Sequence, residues 1–372
     1  METSMITRQR AYRTKLVTNN SEHSHLLGCA GLARFVYNWG LTEWKSEYEA
    51  GGKPNVYALK KRFNAIKGEK FPWTADYPYA IAQEAFDHLG LAFQHFFRRL
   101  KTGETPGFPK FKSRHKTTPS FSLRGCITVE SSRVKLPRLG WVRLAESDYL
   151  PTQNAKINSA TLSYRGGDWY ISIQVEQQVP EPEPATGAPI GVDMGVKSLA
   201  VVSDGTTFDN PKTLKQYEQR MARLQREHSR REKGSKNRAK TTAKIAKLHK
   251  KIADTRSHTL HNISRHVTAE TKPGVVVVED LHVKGMVRNR HLAKSVSDAG
   301  MGELRRQIEY KAAWNGVRVV VADRWFPSSK TCSGCGHIQS MPLAERTYTC
   351  PACGLVMDRD LNAAVNLSRL AG

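Results

Sequence analysis

Four of the six cysteines form two Cys-x-x-Cys pairs near the end of the chain: Cys332 with Cys335, and Cys350 with Cys353. Each pair can place two thiolates on one tetrahedral ion, and the glycine that follows each pair lets the backbone turn tightly. Two such pairs separated by fourteen residues predict a zinc ribbon holding one structural zinc ion. All four ligand positions are then filled, which leaves no open position for catalysis.

Three acidic residues stand where acids are otherwise hard to explain. Asp193 follows an apolar stretch, Glu279 ends a run of four valines, and Asp360 lies at the start of the last predicted helix. Carboxylates near strand ends cost free energy unless they are paired or bind metal. With no matching His or Cys, three converging carboxylates suit Mg²⁺ or Mn²⁺. Two such ions about 3.5–4 Å apart can support in-line phosphodiester hydrolysis.

Other nearby acids have simpler interpretations. Asp280 follows Glu279 and points to the opposite face of its strand. Asp358 is expected to cap the final helix, Asp323 follows another predicted strand, and Asp204 is a turn residue. Because acids at strand ends are also common as turn residues and caps, spacing alone leaves that alternative open for the three candidate acids.

The 372-residue chain is strongly basic, with 58 Lys and Arg against 34 Asp and Glu and a formal net charge of +24. So large an excess repels itself unless a polyanion neutralises it, and nucleic acid is the obvious polyanion. An anionic membrane would need an amphipathic or lipid anchor, which the sequence lacks. Neither a signal peptide nor an apolar span is evident, so we expect a cytoplasmic, nucleoid-associated prokaryotic protein.

The first half of the chain combines strand and helix patterns. A strand is predicted at residues 11–17, a helix beginning near Ser21 as its N-cap, and further helices at residues 56–66 and 79–100. Residues 118–177 have a β pattern, with a hairpin turn at residues 165–168. A β-barrel or sandwich with a helical insert is the simplest account. A Pro-rich stretch at residues 179–189 predicts a domain boundary.

The second half of the chain alternates short apolar strands with helices, which indicates an α/β domain. The predicted strands are residues 190–192, 199–203, 275–278 and 317–321, and helices are predicted at residues 214–256 and 302–314. The first of these helical stretches is broken at residues 234–235. One of its faces is densely basic and includes Arg230, Arg231, Lys233, Lys236 and Lys240. Because nearly all of these charges have one sign, we predict nucleic-acid contact rather than a solvated face.

Several short motifs occur together in a specific order. They are Gly-Val-Asp-Met-Gly-Val at residues 191–196, Val-Glu-Asp-Leu at residues 278–281, Pro-Ser-Ser-Lys at residues 327–330 before the cysteine pairs, and Asp-Arg-Asp-Leu-Asn-Ala-Ala at residues 358–364. In this order they resemble the TnpB family, the transposon-encoded RNA-guided nucleases related to type V CRISPR effectors. Upstream matches, such as residues 34–38 and 107–111, extend the resemblance over nearly the whole chain.

The resemblance implies a multidomain architecture of α+β and α/β type. Its parts are a wedge β-barrel (residues 1–20 and 118–180), a helical recognition insert (21–117), a Pro-rich linker (181–189), an RNase H-like RuvC domain (190–327 and 357–372) and an inserted zinc ribbon (328–356).

The resemblance also implies an activity. Family members bind a guide RNA made from the transposon end, pair it with one DNA strand beside a short target-adjacent motif, and cut both strands at a single RuvC site. By match, Asp193, Glu279 and Asp360 are the catalytic acids and hold two Mg²⁺ ions. Asp360 is chosen because the family's third acid lies two residues before an asparagine, here Asn362.

Residues that face the target-adjacent motif also follow from the resemblance. Tyr57 and Gln83 match positions of that kind, and Lys61 and Ser122 lie near others. Most sequence information should come from guide pairing, with the protein reading the heteroduplex by shape and charge. A monomer is favoured.

Three other functions remain as alternatives. A transposase would cut and join DNA ends without RNA, and a guided DNA-binding protein would not cleave at all. A plain zinc-ribbon nucleic-acid binder would leave the three acids unexplained.

Overall fold

A computed structural model describes residues 4–342 and 344–372 of the chain. The chain separates into two units, the first ending at Pro180 and the second beginning at Glu181. None of the helices in these described ranges is both long and apolar enough to cross a membrane.

The first unit is organised around one antiparallel sheet. Its strands are β1 (Met5–Val17), β2 (Ser120–Arg124), β3 (Thr128–Val129), β4 (Arg133–Leu136), β5 (Gly140–Leu144), β6 (Ala155–Arg165) and β7 (Asp168–Pro180), in the spatial order β2-β6-β7-β1-β5-β4-β3. The predicted hairpin turn is confirmed, since Arg165 pairs with Asp168 around two glycines of positive φ. Alternate residues of β7, from Trp169 to Val175, face the core.

This sheet is not closed, so the expectation of a barrel is wrong. Its edges are β2 and β3, which do not pair with each other. The physical reason lies in the edge strands themselves. Strand β3 has only two residues and β2 has five, which leaves too few backbone groups to join the edges.

Three helices complete the first unit: α1 (Asn20–Glu49), α2 (Val56–Lys70) and α3 (Tyr79–Lys101). All three were predicted, but Ser21 is not the N-cap of α1. Asn19 is the cap, because its side chain accepts the N–H of Glu22 at 2.9 Å while the Glu22 carboxylate accepts the N–H of Asn19 at 2.8 Å. Ser21 therefore lies inside the first turn.

The second unit contains a mixed five-stranded sheet. Its strands are β8 (Ile190–Asp193), β9 (Ser198–Val202), β10 (Thr207–Asp209), β11 (Val275–Glu279) and β12 (Arg318–Ala322), in the order β10-β9-β8-β11-β12. Strands β8, β11 and β12 are parallel, and β9 and β10 are antiparallel to their neighbours. The four-valine strand thus lies inside the sheet, between β8 and β12, and is buried, as its uninterrupted apolar run predicts.

The second unit also contains helices and a second, smaller sheet. The helices are α4 (Thr213–Arg230), α5 (Lys236–Arg265), α6 (Val283–Arg288), α7 (Ala293–Ala299), α8 (Met301–Trp314) and α9 (Arg359–Ser368), and a small sheet of β13 (Thr347–Thr349) and β14 (Val356–Asp358) precedes α9. The predicted break between α4 and α5 is confirmed, because Gly234 has a positive φ and Ser235 caps α5. Helix α9 packs on β8, β9 and β11.

Candidate functional site

Asp193 and Glu279 are brought together by the pairing of their strands. Strand β11 lies parallel to β8, with Val278 opposite Val192. Asp193 and Glu279 are the next residue on each strand, so they lie side by side at the carboxyl edge of the sheet. Both residues are half-buried.

Asp360 reaches the same edge from the first turn of α9. The helix can approach the sheet closely because β8 has a glycine where the two backbones cross. A Cβ atom on Gly191 would lie only 2.0 Å from the carbonyl oxygen of Ala364. Any larger residue at position 191 would therefore push α9, and Asp360 with it, away from Asp193.

The three carboxylates interact electrostatically. Burial raises the pKa of Asp193 well above its usual value, and the charges of Glu279 and Asp360 raise it further. Burial also raises the pKa of Glu279, with a smaller contribution from Asp360, while a hydrogen bond from Ser328 opposes the change. Removing these groups from water thus disfavours their charged forms, and a bound divalent cation would relieve that cost.

Two arginines hold Asp360. Arg359 donates to Asp360 Oδ1 from Nη2 at 3.0 Å, and Arg346 Nη1 lies 3.6 Å from Asp360 Oδ2. The side chain of Asp360 nevertheless keeps some exposure. The donor set consists of carboxylate oxygens alone, which is the chemistry that Mg²⁺ and Mn²⁺ prefer. The residues present therefore fit such ions. The ligand oxygens of the three acids do not all lie within 4.8 Å of one another.

The neighbouring acids have structural roles, as expected. Asp280 pairs with Arg305 at 3.0 Å and with Arg324 at 2.5 Å. Asp204 and Asp323 each accept the N–H of the residue two positions later in a turn, at 2.8 Å. None of these recorded contacts joins Asp280, Asp204 or Asp323 to the three candidate acids.

The sulfur atoms of Cys332, Cys335, Cys350 and Cys353 all lie within 4.8 Å of one another. Two Sγ–Sγ distances, Cys332 to Cys353 and Cys335 to Cys350, are 3.6 Å. Tetrahedral zinc with Zn–S bonds of about 2.3 Å needs sulfur atoms about 3.8 Å apart. The four cysteines could therefore bind a zinc ion, and in the part of the chain that the structure describes they are the only such metal-ligating group.

The two cysteine knuckles have the same backbone geometry. In each, the N–H of the glycine after the pair donates to the carbonyl of the first cysteine, at 2.9 Å for Gly336 and 3.0 Å for Gly354. Both glycines have a positive φ, 78° and 75°, which other residues rarely adopt. The requirement for glycine that the sequence indicates is met at both positions.

The basic residues predicted to contact nucleic acid lie on and between α4 and α5. Arg230, Lys233, Lys236 and Lys240 are exposed. Arg231 is half-buried and makes contacts within the protein: it pairs with Glu227 and donates from Nη1 to the carbonyl of Asn237 at 2.8 Å. Arg231 thus helps to hold the turn between the two helices.

The residues predicted to face the target-adjacent motif all lie in the first unit. Tyr57, Lys61 and Gln83 are exposed on α2 and α3, and Tyr57 is 79% exposed. Ser122 is 8% exposed, and its hydroxyl lies 3.1 Å from the hydroxyl of Thr161 across the sheet. A contact from Ser122 would therefore need this pair to open.

Sequence reasoning missed three residues that touch the carboxylates: Ser328, Arg346 and Arg359. Ser328 donates from Oγ to Glu279 Oε1 at 2.8 Å. A signal for Ser328 was its place in the Pro-Ser-Ser-Lys motif, and for Arg359 its position between two acids. Arg346 carries no local signal, since only folding brings it to Asp360.

Comparison with protein families matches three parts of the chain. The family described as a probable transposase (OrfB_IS605) matches residues 172–290, the Cas12f1-like TNB domain matches residues 302–367, and a domain described as helix-turn-helix matches residues 5–53. The last match covers β1 and the single long helix α1.

Full-length relatives and a solved structure agree with these matches. A protein of Streptomyces pristinaespiralis, named as an RNA-guided DNA endonuclease, is 35% identical over 367 residues, covering 96% of this chain and 88% of the relative. InsQ of Escherichia coli (strain K12), named likewise, is 31% identical over 382 residues, covering 97% and 92%. A cryo-EM structure of the Cas12f1–sgRNA–target DNA complex shares the fold, with a TM-score of 0.55 at 19% identity and coverage of 94% and 82%. The chain therefore belongs to the TnpB family of transposon-encoded RNA-guided DNA endonucleases.

Proposed function

We propose that this protein is an RNA-guided, Mg²⁺-dependent DNA endonuclease. It binds a guide RNA from the transposon end, recognises a short motif beside its DNA target, and hydrolyses both strands at one RuvC site. The observation that carries the proposal is the convergence of three acids at one edge of the sheet: Asp193 and Glu279 end adjacent parallel strands, and Asp360 lies in the first turn of the helix packed on them. The relatives named as RNA-guided DNA endonucleases support the guide and the DNA substrate.

Each acid has a distinct place in the proposed site. Asp193 and Glu279 would hold the ions from adjacent strands, and Asp360 from the first turn of α9. Two Mg²⁺ ions, when bound there, supply activation of the attacking water and stabilisation of the leaving 3′ oxygen. Ser328 orients the Glu279 carboxylate, and Arg359 fixes that of Asp360.

We also propose a domain layout, which follows from the resemblance to the TnpB family. The wedge domain would comprise residues 1–20 and 118–180 and the helical recognition insert residues 21–117, with a linker at residues 181–189. The RuvC domain would comprise residues 190–327 and 357–372 and hold the zinc ribbon at residues 328–356. Exposed Tyr57, Lys61 and Gln83 would meet the target-adjacent duplex, and the basic residues of α4 and α5 would meet nucleic-acid phosphates.

The proposal is tested by purifying the protein together with RNA transcribed from its flanking transposon end. We expect a discrete protected RNA with a variable 3′ segment, and double-strand cleavage of plasmids that match it. Asp193→Ala and Glu279→Ala should abolish cleavage while RNA binding is retained. Retained cutting by either variant would refute the site, and the absence of any discrete RNA would refute guidance.

One alternative has a specific observation in its favour, since the family matched at residues 172–290 is described as a probable transposase. A transposase would join a cut transposon end to a new DNA molecule and would need no RNA. The same purified protein, incubated with labelled transposon ends, distinguishes the two. Joined products formed in the absence of RNA would favour the transposase.

A further inference from the structure

The segment that leads into the first cysteine knuckle contacts Glu279 and the helix that carries Asp360. Ser328 is 5% exposed and donates to Glu279 on β11. Four residues later, Cys332 begins the knuckle. Residues 328–333 thus connect a zinc-ligating loop directly to one of the proposed metal-binding acids.

The same segment is fastened to α9, the helix that carries Asp360. Asn366 donates from Nδ2 to the carbonyls of Ser328, at 2.8 Å, and Thr331, at 2.6 Å. Asn362 donates from Nδ2 to Thr331 O at 2.7 Å, and its Oδ1 accepts the N–H of Ser333 at 2.9 Å. Asn362 is fully buried and Asn366 nearly so.

The contacts between this segment and α9 are hydrogen bonds from buried side-chain amides to backbone groups. Asn362 and Asn366 are one helical turn apart, so both amides face the same segment. Buried amides are costly unless their hydrogen bonds are made, and here they are made almost entirely with the backbone of residues 328–333. The segment and α9 therefore have one defined relative position, and displacing either would leave buried polar groups unpaired.

We propose that Ser328, Asn362 and Asn366 form a clamp through which the first zinc knuckle fixes the position of Glu279 relative to Asp360. The three residues are positioning residues, because they act through the two acids and not on the substrate. The zinc ribbon would then serve the nuclease site as well as its own fold. This inference rests on the proposed function, since it assumes that these acids bind the catalytic ions.

The test is divalent-metal binding by Ser328→Ala, with Ser329→Ala as the matched control. Binding is measured by Mn²⁺ titration of the purified, zinc-loaded protein with electron paramagnetic resonance, and by the Mg²⁺ concentration that half-saturates cleavage. We expect Ser328→Ala to weaken both by about tenfold, which is the usual effect of losing an outer partner of a metal ligand. Its zinc content and Tm should match those of Ser329→Ala.

A second variant and a double mutant make the test specific. Asn366→Ala should weaken metal binding in the same direction, because it frees the Ser328 segment from α9. Combining Ser328→Ala with Asn366→Ala should weaken metal binding by less than the product of the two single effects, because both changes release Glu279 from the same clamp. Equal metal dependence of Ser328→Ala and Ser329→Ala would overturn the clamp while leaving the nuclease intact. A Glu279→Gln variant that still binds Mn²⁺ and cleaves would instead overturn the proposed site.

Discussion

Asp358 Oδ1 accepts the backbone N–H of Asp360 at 2.8 Å, so the first acid of the Asp-Arg-Asp motif serves as the N-cap that presents the second. Asp358 also accepts the N–H of Leu361, at 3.1 Å, which satisfies two of the free donors at the start of α9. Two acids of one short motif thus have separate places: Asp358 caps the helix, and Asp360 is the acid that we propose for metal binding.

This division predicts different outcomes for two amide substitutions. Asp358→Asn keeps a capping side chain and should retain cleavage, whereas Asp360→Asn should abolish it. Asp358→Ala should cost about 1 kcal/mol of stability through loss of the cap. Guided plasmid cleavage and thermal denaturation measure these effects. An inactive Asp358→Asn with an active Asp360→Asn would reverse the assignment.

Gly191→Ala should disrupt the nuclease unit. Its Cβ would meet the backbone oxygen of Ala364 at 2.0 Å, and a backbone atom of a packed helix cannot simply move aside. We expect a lower Tm. We also expect slower cleavage, because Asp360 would be displaced from Asp193. The matched control is Gly302→Ala in α8, where a Cβ would meet nothing within 4 Å and the Tm should rise slightly. Equal Tm values for the two variants would contradict this account of the β8–α9 contact.

Asp193→Asn should stabilise the protein while abolishing cleavage. Folding raises the pKa of Asp193, so its charged form destabilises the native state at neutral pH, and that cost disappears as pH falls toward the unfolded value of 3.8. Without added Mg²⁺, the Tm of the variant should exceed that of wild type at pH 7.5, by about 2–4 °C per kcal/mol, and the gap should narrow toward pH 4.

Asp280→Asn is the control for this effect. Asp280 is half-buried and its pKa is lowered by hydrogen bonds from Arg324 and Arg305, so neutralising it should not raise the Tm. If Asp193→Asn melts at or below the wild-type temperature at pH 7.5, burial of the Asp193 charge is not the dominant effect.

Zinc should be required for the stability of the second unit. Purified wild type should contain about one zinc per chain. Cys332→Ser should lower both the zinc content and the Tm, because structural zinc binding contributes directly to folding. Cys126→Ser, which alters an exposed thiol outside the cluster, should change neither. Elemental analysis and thermal denaturation decide the matter, and a normal Tm in zinc-free Cys332→Ser would refute a structural site.

The basic helices should make binding of guide RNA salt-dependent. Each phosphate contact contributes about 0.7–0.9 to the slope of log K against log salt concentration. Replacing Arg230 and Lys233 with alanine should therefore lower that slope by about 1.5. The control removes the same charge from Arg305 and Arg306, which already pair with acids. Filter-binding titrations at several salt concentrations measure the slopes, and equal slopes for the two double variants would exclude Arg230 and Lys233 as RNA contacts.

Much of the site is determined by the sequence alone, because its spacing is local. Two thiolates with two residues between them form a knuckle, and Asp358 caps the helix that follows it, as expected. The uninterrupted valines predict a buried strand that ends at Glu279, and this is observed. Each of these follows from short-range backbone geometry, which a few neighbouring residues fix.

Other features depend on contacts between distant residues, which no local pattern specifies. The hydrogen bond from Ser328 to Glu279 spans 49 positions, and Arg346 reaches Asp360 only through the turn of the ribbon. Whether the first sheet would close depended on the lengths of its edge strands, and the expected barrel proved open. The sequence determined which acids and thiols were available for chemistry. Tertiary packing decided which side chains orient them, because close approaches such as Gly191 on α9 exist only once the chain has folded.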